Sequence, residues 1–285
     1  MPTISVIGSF NMDLIVQVAR MPLPGETIAG SGFRLVPGGK GANQAVASAK
    51  AGAQTHMYGC VGSDAFGTEL LNSLIEAGVN VSKVTKSTKE SSGVATILLE
   101  NSGENRIIII PGSNNLVDNT YIENNWHEIS KSDLIVIQHE IPIDTCHNII
   151  DSAHHASIPV LFNPAPFYPT PDEVLKKIEY LVVNETELQG LIGFLPSSEE
   201  ELVLAGYSLL EKGVKTLIIT LGQDGSILLS NGIEMRQSAF TVEAVDTTAA
   251  GDTYVGYLAT AILNGKDFRS ALEFASAAAA LAVTK

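Results

Sequence analysis

Apolar and polar residues along this chain alternate in two distinct rhythms. Short runs of Ile, Val and Leu at 4–7, 134–137, 160–162, 181–183 and 217–220 have the length and β-branched content of strands buried on both faces. Segments 43–51, 66–77, 143–155, 201–212 and 254–263 instead repeat their apolar positions at the spacing of amphipathic helices. Buried strands alternating with helices predict a parallel sheet between two helical layers, a three-layer α/β/α body of Rossmann-like type. Right-handed crossovers then bring the loops that follow the strands to one rim of that sheet.

Two stretches break the rhythm. Residues 13–18 and 27–36 flank Pro22-Leu23-Pro24-Gly25, and residues 93–100 and 106–110 flank Asn101-Ser102-Gly103-Glu104-Asn105. Neither pair leads directly into a crossover helix, so both read as strand pairs closed by turns. They predict a small antiparallel β layer inserted into the α/β body, with lid segments at about 13–36 and 93–110. No repeat or low-complexity linker interrupts the pattern, and residues 1–285 read as one domain.

Composition narrows this picture without changing it. An apolar fraction of 45% with 17% charged residues belongs to a folded chain, since disorder needs fewer apolar residues and denser charge. A net charge of −14, with no Lys/Arg-rich run, argues against nucleic acid or an anionic membrane as partner. No apolar stretch approaches the roughly 20 residues that span a bilayer. The N-terminal residues enter a strand-like run with no basic-then-apolar leader. Cys60 and Cys146 lie far apart and read as buried thiols of a reducing compartment, so the cytoplasm is the expected location.

The candidate chemistry concentrates in Asp246-Thr247-Thr248-Ala249-Ala250-Gly251-Asp252-Thr253. The alternating residues 240–245 before it predict a strand, and residues 254–263 after it a helix, with a tight turn of small residues between. Such a turn presents free backbone N–H groups at a helix N-terminus, where they hold an anion. Asp252 sets a carboxylate beside that hole. Transfer of a phosphoryl group to a hydroxyl needs this pairing, N–H groups to steady charge and a base to take the proton.

Each of the other motifs carries two readings. Pro37-Gly38-Gly39-Lys40-Gly41-Ala42-Asn43-Gln44 is a Gly-rich helix start, or a cradle in which Lys40 and Asn43 meet hydroxyls or phosphate. Its spacing is neither that of a P-loop nor that of a dinucleotide fingerprint. In Gly8-Ser9-Phe10-Asn11-Met12-Asp13, Asn11 and Asp13 share one side of an extended segment and suit sugar hydroxyls, or else form an Asx turn. Glu140, after Gln138-His139, accepts from a hydroxyl or sits solvated at a loop start. Asn184 and Glu187 have the spacing of a helix-capping box, and also suit phosphates and hydrated Mg²⁺. Thr220-Leu221-Gly222-Gln223-Asp224-Gly225 is a hairpin turn or a platform for a nucleotide. The six histidines show no zinc-ligand spacing. These motifs share one location, the rim where strands end and helices begin.

Taken together, these residues closely resemble the phosphofructokinase-B-type family of sugar and nucleoside kinases, and its ribokinase branch most of all. The strongest parts are the glycine-rich 38–44 and the 246–253 run. Asn163-Pro164-Ala165-Pro166, Asn184-Glu185-Thr186-Glu187 and the closing Ala-rich helix share in the resemblance, which covers essentially the whole chain. It implies a ribokinase-like fold and ATP-dependent phosphorylation of D-ribose at its 5-hydroxyl. By the same resemblance Asn11, Asp13, Gly39, Lys40, Asn43 and Glu140 match sugar-binding positions. Asp252 matches the catalytic base, and Ala249, Ala250 and Gly251 the anion hole. Asn184, Glu187, Thr220, Gly222, Gly225 and Gly251 fall to the nucleotide, and Ser276 stands where some relatives have a histidine near adenine. Asn184 and Glu187 match an Asn-x-x-Glu motif linked to Mg²⁺ and phosphate, with Glu187 acting on the metal indirectly. K⁺ would be held by Asp246 and the backbone of Thr248, with Ala282 nearby, shaping the anion hole without touching substrate. Relatives usually continue past the position of Lys285 with a Gly-containing loop and a last helix, which supply further cation ligands and wall the adenine pocket. A homodimer through the β lid is implied as well. Alternative acceptors within the same fold are 2-deoxyribose, a fructose-like or other small sugar, or a nucleoside. A non-catalytic sugar- or nucleotide-binding protein is the alternative of a different class.

Overall fold

The computed structural model describes residues 2–100, 102 and 104–284. Strands β1 (Thr3–Ile7), β2 (Asn11–Val18) and β3 (Gly30–Gly38) precede helix α1 (Lys40–Lys50). Then follow β4 (Gln54–Tyr58), β5 (Cys60–Gly62), α2 (Ala65–Glu76), β6 (Thr85–Ser87), β7 (Gly93–Glu100) and β8 (Asn105–Ile110). Next come α3 (Asn119–Ile129), β9 (Leu134–Gln138), α4 (Ile143–His155), β10 (Val160–Asn163) and the single turn α5 (Asp172–Leu175). After β11 (Tyr180–Asn184), α6 (Glu185–Ile192) and α7 (Glu199–Glu211), the chain closes with β12 (Thr216–Thr220), β13 (Ser226–Ser230), β14 (Ile233–Gln237), α8 (Ala250–Leu263) and α9 (Phe268–Ala282).

The main sheet has the order β14-β13-β12-β11-β10-β9-β1-β4. From β12 to β4 every pair is parallel, and β13 and β14 extend the sheet as an antiparallel hairpin. Strand periodicity decides what each face touches. Ile7, Ile137, Phe162, Val183 and Ile219 pack with side chains of α3 to α7. Their neighbours Val6, Val136, Leu161, Val182 and Ile218 pack with α1, α2, α8 and α9. Burial on both faces is why these strands read as unbroken apolar runs. Cys60 and Cys146 are free and buried. Among the described residues no helix is long and apolar enough to cross a membrane.

A second, four-stranded sheet has the order β3-β2-β7-β8. Its hairpins β2/β3 and β7/β8 are antiparallel, and they join through a parallel pairing of β2 with β7. Asn101 and Gly103 of the expected β7–β8 turn lie outside the described residues. A short parallel pair, β5 with β6, stands apart.

Residues 240–245 depart from expectation, because they form no strand. The segment leaves β14 and crosses to the end of α9, where the N–H groups of Val245 and Asp246 both donate to Val283 O, at 2.7 and 3.2 Å. Phe240, Val242 and Val245 are exposed. Alternation marks a strand only where a neighbouring strand is there to pair with it.

Candidate active site

The N-terminus of α1 is pressed against the turn between β1 and β2. Gly39 has φ of 94°, and a Cβ there would sit 2.7 Å from Asn11 N and 3.0 Å from Phe10 Cα. Conformation and space both demand glycine. Ala42 N–H then donates to Ser9 O at 3.0 Å, and Gly41 N–H to Ser9 Oγ at 3.3 Å.

Glu140, just beyond β9, ties these pieces together. Its Oε2 accepts from Ser9 Oγ at 2.5 Å, Lys40 N at 3.0 Å and Asn11 Nδ2 at 3.3 Å. Asn114 locks the turn from the other side. It accepts from Phe10 N at 2.9 Å and donates to Phe10 O at 3.0 Å and to Asn11 Oδ1 at 2.9 Å. Asp13 follows on β2, its carboxylate against the end of β3 at Gly38. Asp252, in the first turn of α8, faces the same space. Asn43 Nδ2 donates to its Oδ2 at 3.0 Å and Gln44 Nε2 to its Oδ1 at 2.9 Å.

Charge in this space is unbalanced. Burial pushes the Asp13 carboxyl up to about 7, with the Glu140 and Asp252 carboxylates adding to the effect. Burial also raises Glu140 and Glu187, against hydrogen bonds that pull each of them down. For Lys40, burial opposes the charge, but Asp252, Glu140 and Glu187 together outweigh it and the ammonium is stabilised. A buried acid cluster around one lysine is poised for polar hydroxyls and cations.

On the far side of Asp252 lies a cavity of about 260 Å³. Lys40, Asn163, Asn184, Glu187 and Thr220 line it, together with Thr247, Ala249, Ala250, Gly251 and Asp252. Ala249 caps α8 with φ of 59°, a left-handed conformation costly for alanine (about 1 kcal/mol) that aims the chain into the helix. Ala250 N–H makes only a 3.3 Å bond to Thr247 O, and the next N–H groups of α8 lack helical partners. A Cβ on Gly251 would meet nothing within 4 Å, so its bareness keeps the cavity floor open. Asn184 and Glu187 form a complete capping box on α6, with Glu187 Oε2 accepting from Asn184 N at 2.9 Å. They border the cavity all the same.

Of the remaining expected positions, Thr220 borders the cavity and the others lie farther out. Thr220 Oγ1 donates to Val183 O at 3.3 Å, and Gly222–Asp224 make a single 3-10 turn that Leu221 N–H closes onto Gly225 O at 2.8 Å. Gly222 and Gly225 therefore shape the hairpin into β13 and stand outside the cavity lining. Ser276 is buried within α9 and also stands outside that lining. Hydrogen bonding from Thr248, side chain and then main chain, holds the Asp246 carboxyl below the usual range. The bonds to Val283 O bring Asp246 to the last turn of α9, where Ala282 lies.

Ser9, Asn114 and Gln138 carry no role in the sequence reading, and Gln44 appears there only within its motif. The one signal available was Gln44, a polar residue inside the Ala-rich stripe that α1 buries. Nothing in its spacing points to a partner 208 residues away.

Free N–H groups at a helix N-terminus, beside a buried carboxylate and a pocket of clustered acids and amides, suit a phosphotransferase built on an α/β sheet rim. The chain belongs to the pfkB family of carbohydrate kinases, whose model matches residues 1–285. It is 41% identical over 295 residues to a ribokinase of Schizosaccharomyces pombe, covering 100% of this chain and 93% of that protein. It is 36% identical over 282 residues to a deoxyribokinase of Salmonella typhi, covering 99% and 92%. The fold matches the structure of Arabidopsis thaliana ribokinase complexed with ribose and ATP, with a TM-score of 0.91, 33% identity and coverage of 100% and 93%.

Proposed function

We propose that this enzyme transfers the γ-phosphoryl group of ATP to the 5-hydroxyl of D-ribose. The observation that carries the reading is the position of Asp252, held by Asn43 and Gln44 between the Asp13–Glu140 pocket and the cavity floored by the α8 turn. Asn11, Asp13, Gly39, Lys40, Asn43 and Glu140 surround the sugar. Ala249, Ala250 and Gly251 receive the phosphoryl oxygens, and Asn184, Glu187 and Thr220 flank the nucleotide, with Gly222, Gly225 and Ser276 in an outer shell. A carboxylate is far weaker as a base than an alkoxide, so the proton passes to Asp252 as the new P–O bond forms. The lysine and the free N–H groups then carry the charge of the transferring group.

The donor set fits Mg²⁺. Glu187 and Asp252 share the cavity, and among the described residues no group of three His, Cys, Asp or Glu is placed to hold a metal ion by itself. The two carboxylates suit an ion that keeps much of its water and leans on phosphates, and when bound it would neutralise phosphate charge. Asp246, the Thr248 carbonyl and the terminal carbonyls of α9 around Ala282 would supply oxygens to K⁺, which would stiffen the turn. The four-stranded sheet acts as the lid and, through its exposed isoleucines, as a homodimer interface. Free, buried thiols favour the cytoplasm.

The deoxyribokinase among the relatives makes 2-deoxyribose the competing acceptor. A panel of ribose, 2-deoxyribose, fructose and nucleosides, assayed for ADP formation with and without K⁺, tests the reading. Ribose should give the highest kcat/KM, and K⁺ should raise kcat. A preference above about tenfold for another acceptor reassigns the substrate. No turnover on any of them overturns the kinase reading.

A further inference from the structure

Asp252 does not reach the rim unaided. Gln138 on β9, Gln44 on α1, Asn163 on β10 and Asp252 on α8 are buried and joined in one hydrogen-bonded chain. Its polarity follows from one end. The carbonyl of Val182 only accepts, so the amide nitrogen of Asn163 faces it, at 3.0 Å, with Glu187 Oε2 at 3.5 Å from the same nitrogen. Asn163 Oδ1 is left toward Gln44, whose nitrogen donates to it at 3.1 Å and to Asp252 Oδ1 at 2.9 Å. Gln44 Oε1 then accepts from Gln138 Nε2 at 2.7 Å. Gln138 Oε1 ends the chain, buried and with no partner among the described residues. Every amide is oriented by the one before it, and none can turn over without stranding a buried donor.

We propose that Gln44 is the positioning residue for Asp252, anchored by Gln138 and Asn163 so that one N–H fixes Oδ1 while Asn43 fixes Oδ2. The carboxylate then keeps its remaining lone pairs for the acceptor hydroxyl. Carboxamides neither gain nor lose a proton near neutrality, so the chain orients the base without draining it. The proton taken from the sugar stays on Asp252 until it leaves through the open side of the pocket. Through Asn163 the same chain sets the separation between Asp252 and Glu187, so base and phosphate side stay in register. The inference rests on Asp252 being the base.

Steady-state kinetics with ribose and ATP across pH test it. Gln44→Leu removes the donor, and kcat should fall about 10- to 100-fold while KM for ribose moves less than about threefold. Gln44→Glu sets a second carboxylate against Asp252. The two would share a proton, and the acid limb of kcat should move up by about one pH unit or more. Gln138→Leu leaves the donor present but unanchored. It should cost less, and the double variant should be no worse than Gln44→Leu alone. A folded Gln44→Leu protein with normal kcat, a loss confined to KM, or an unmoved acid limb in Gln44→Glu overturns the proposal. If Gln44→Leu does not fold, the Gln44→Glu profile decides. A carbon-13 titration of the Asp252 carboxyl reads the same contact without turnover. If it moves up in Gln44→Glu while the wild type phosphorylates no sugar, the contact stands and the kinase reading fails. If it stays put, the positioning role fails.

Discussion

The two sheets of this molecule treat their apolar residues in opposite ways. In the main sheet Ile137, Phe162 and Val183 are wholly buried, whereas Ile107, Ile108, Ile109 and Ile110 of β8 are 42–63% exposed. Helices close both faces of the first, whereas β8 of the second is exposed along its whole length. The difference separates two tasks. Buried strands hold the rim still, so Asp252, Glu187 and the α8 turn keep their geometry. The small sheet carries instead an exposed apolar strand, which the proposed lid and dimer contact would use. β2 links the two, because Asn11 and Asp13 stand where it leaves the rim. The proposed sugar pocket therefore lies where the two sheets join.

Three substitutions probe that division, beginning with the largest effect. Asp252→Asn removes the base from the rim and should lower kcat by about 10³-fold or more while ribose binding by calorimetry persists. Near-normal turnover would break the assignment of chemistry to the main sheet. Asp13→Asn acts where the two sheets join, and ribose affinity should drop about 10- to 100-fold. It also has a signature in stability. With its carboxyl raised to about 7, folded Asp13 keeps a proton that the unfolded chain loses near pH 4. Stability therefore falls as pH rises across that window, and the penalty is complete above it. The variant should melt above the wild type at pH 8 and match it near pH 3. An equal gain at both would refute the burial argument. The smallest effect belongs to the lid face. Ile108→Asp should turn a dimer into a monomer by light scattering at micromolar concentration, with kcat/KM reduced less than about tenfold. A dimer that survives would move the interface elsewhere.

Much of this architecture was legible because it rests on local rules. The runs around Ile137, Phe162 and Val183 announce strands buried twice, and Asn184 with Glu187 announces the capping box that α6 displays. Direction was less legible. Strand periodicity is the same for either orientation, so nothing in residues 13–18 or 93–100 told that β2 and β7 pair in parallel. Residues 240–245 alternate like a strand but find no neighbour. The Gln44 contacts span 119 and 208 residues, and only the folded sheet brings those ends together.

Three carboxylates, those of Asp252, Glu140 and Glu187, act on a single lysine at the mouth of the site, in a chain of net charge −14. Their field reaches beyond the pocket and meets a polyanionic nucleotide before any contact forms. Approach of a bare triphosphate is uphill, and moderate salt, which shortens the reach of that field, speeds capture where it would slow a site of opposite sign. The productive visitor is one that arrives with its charge already masked by a cation.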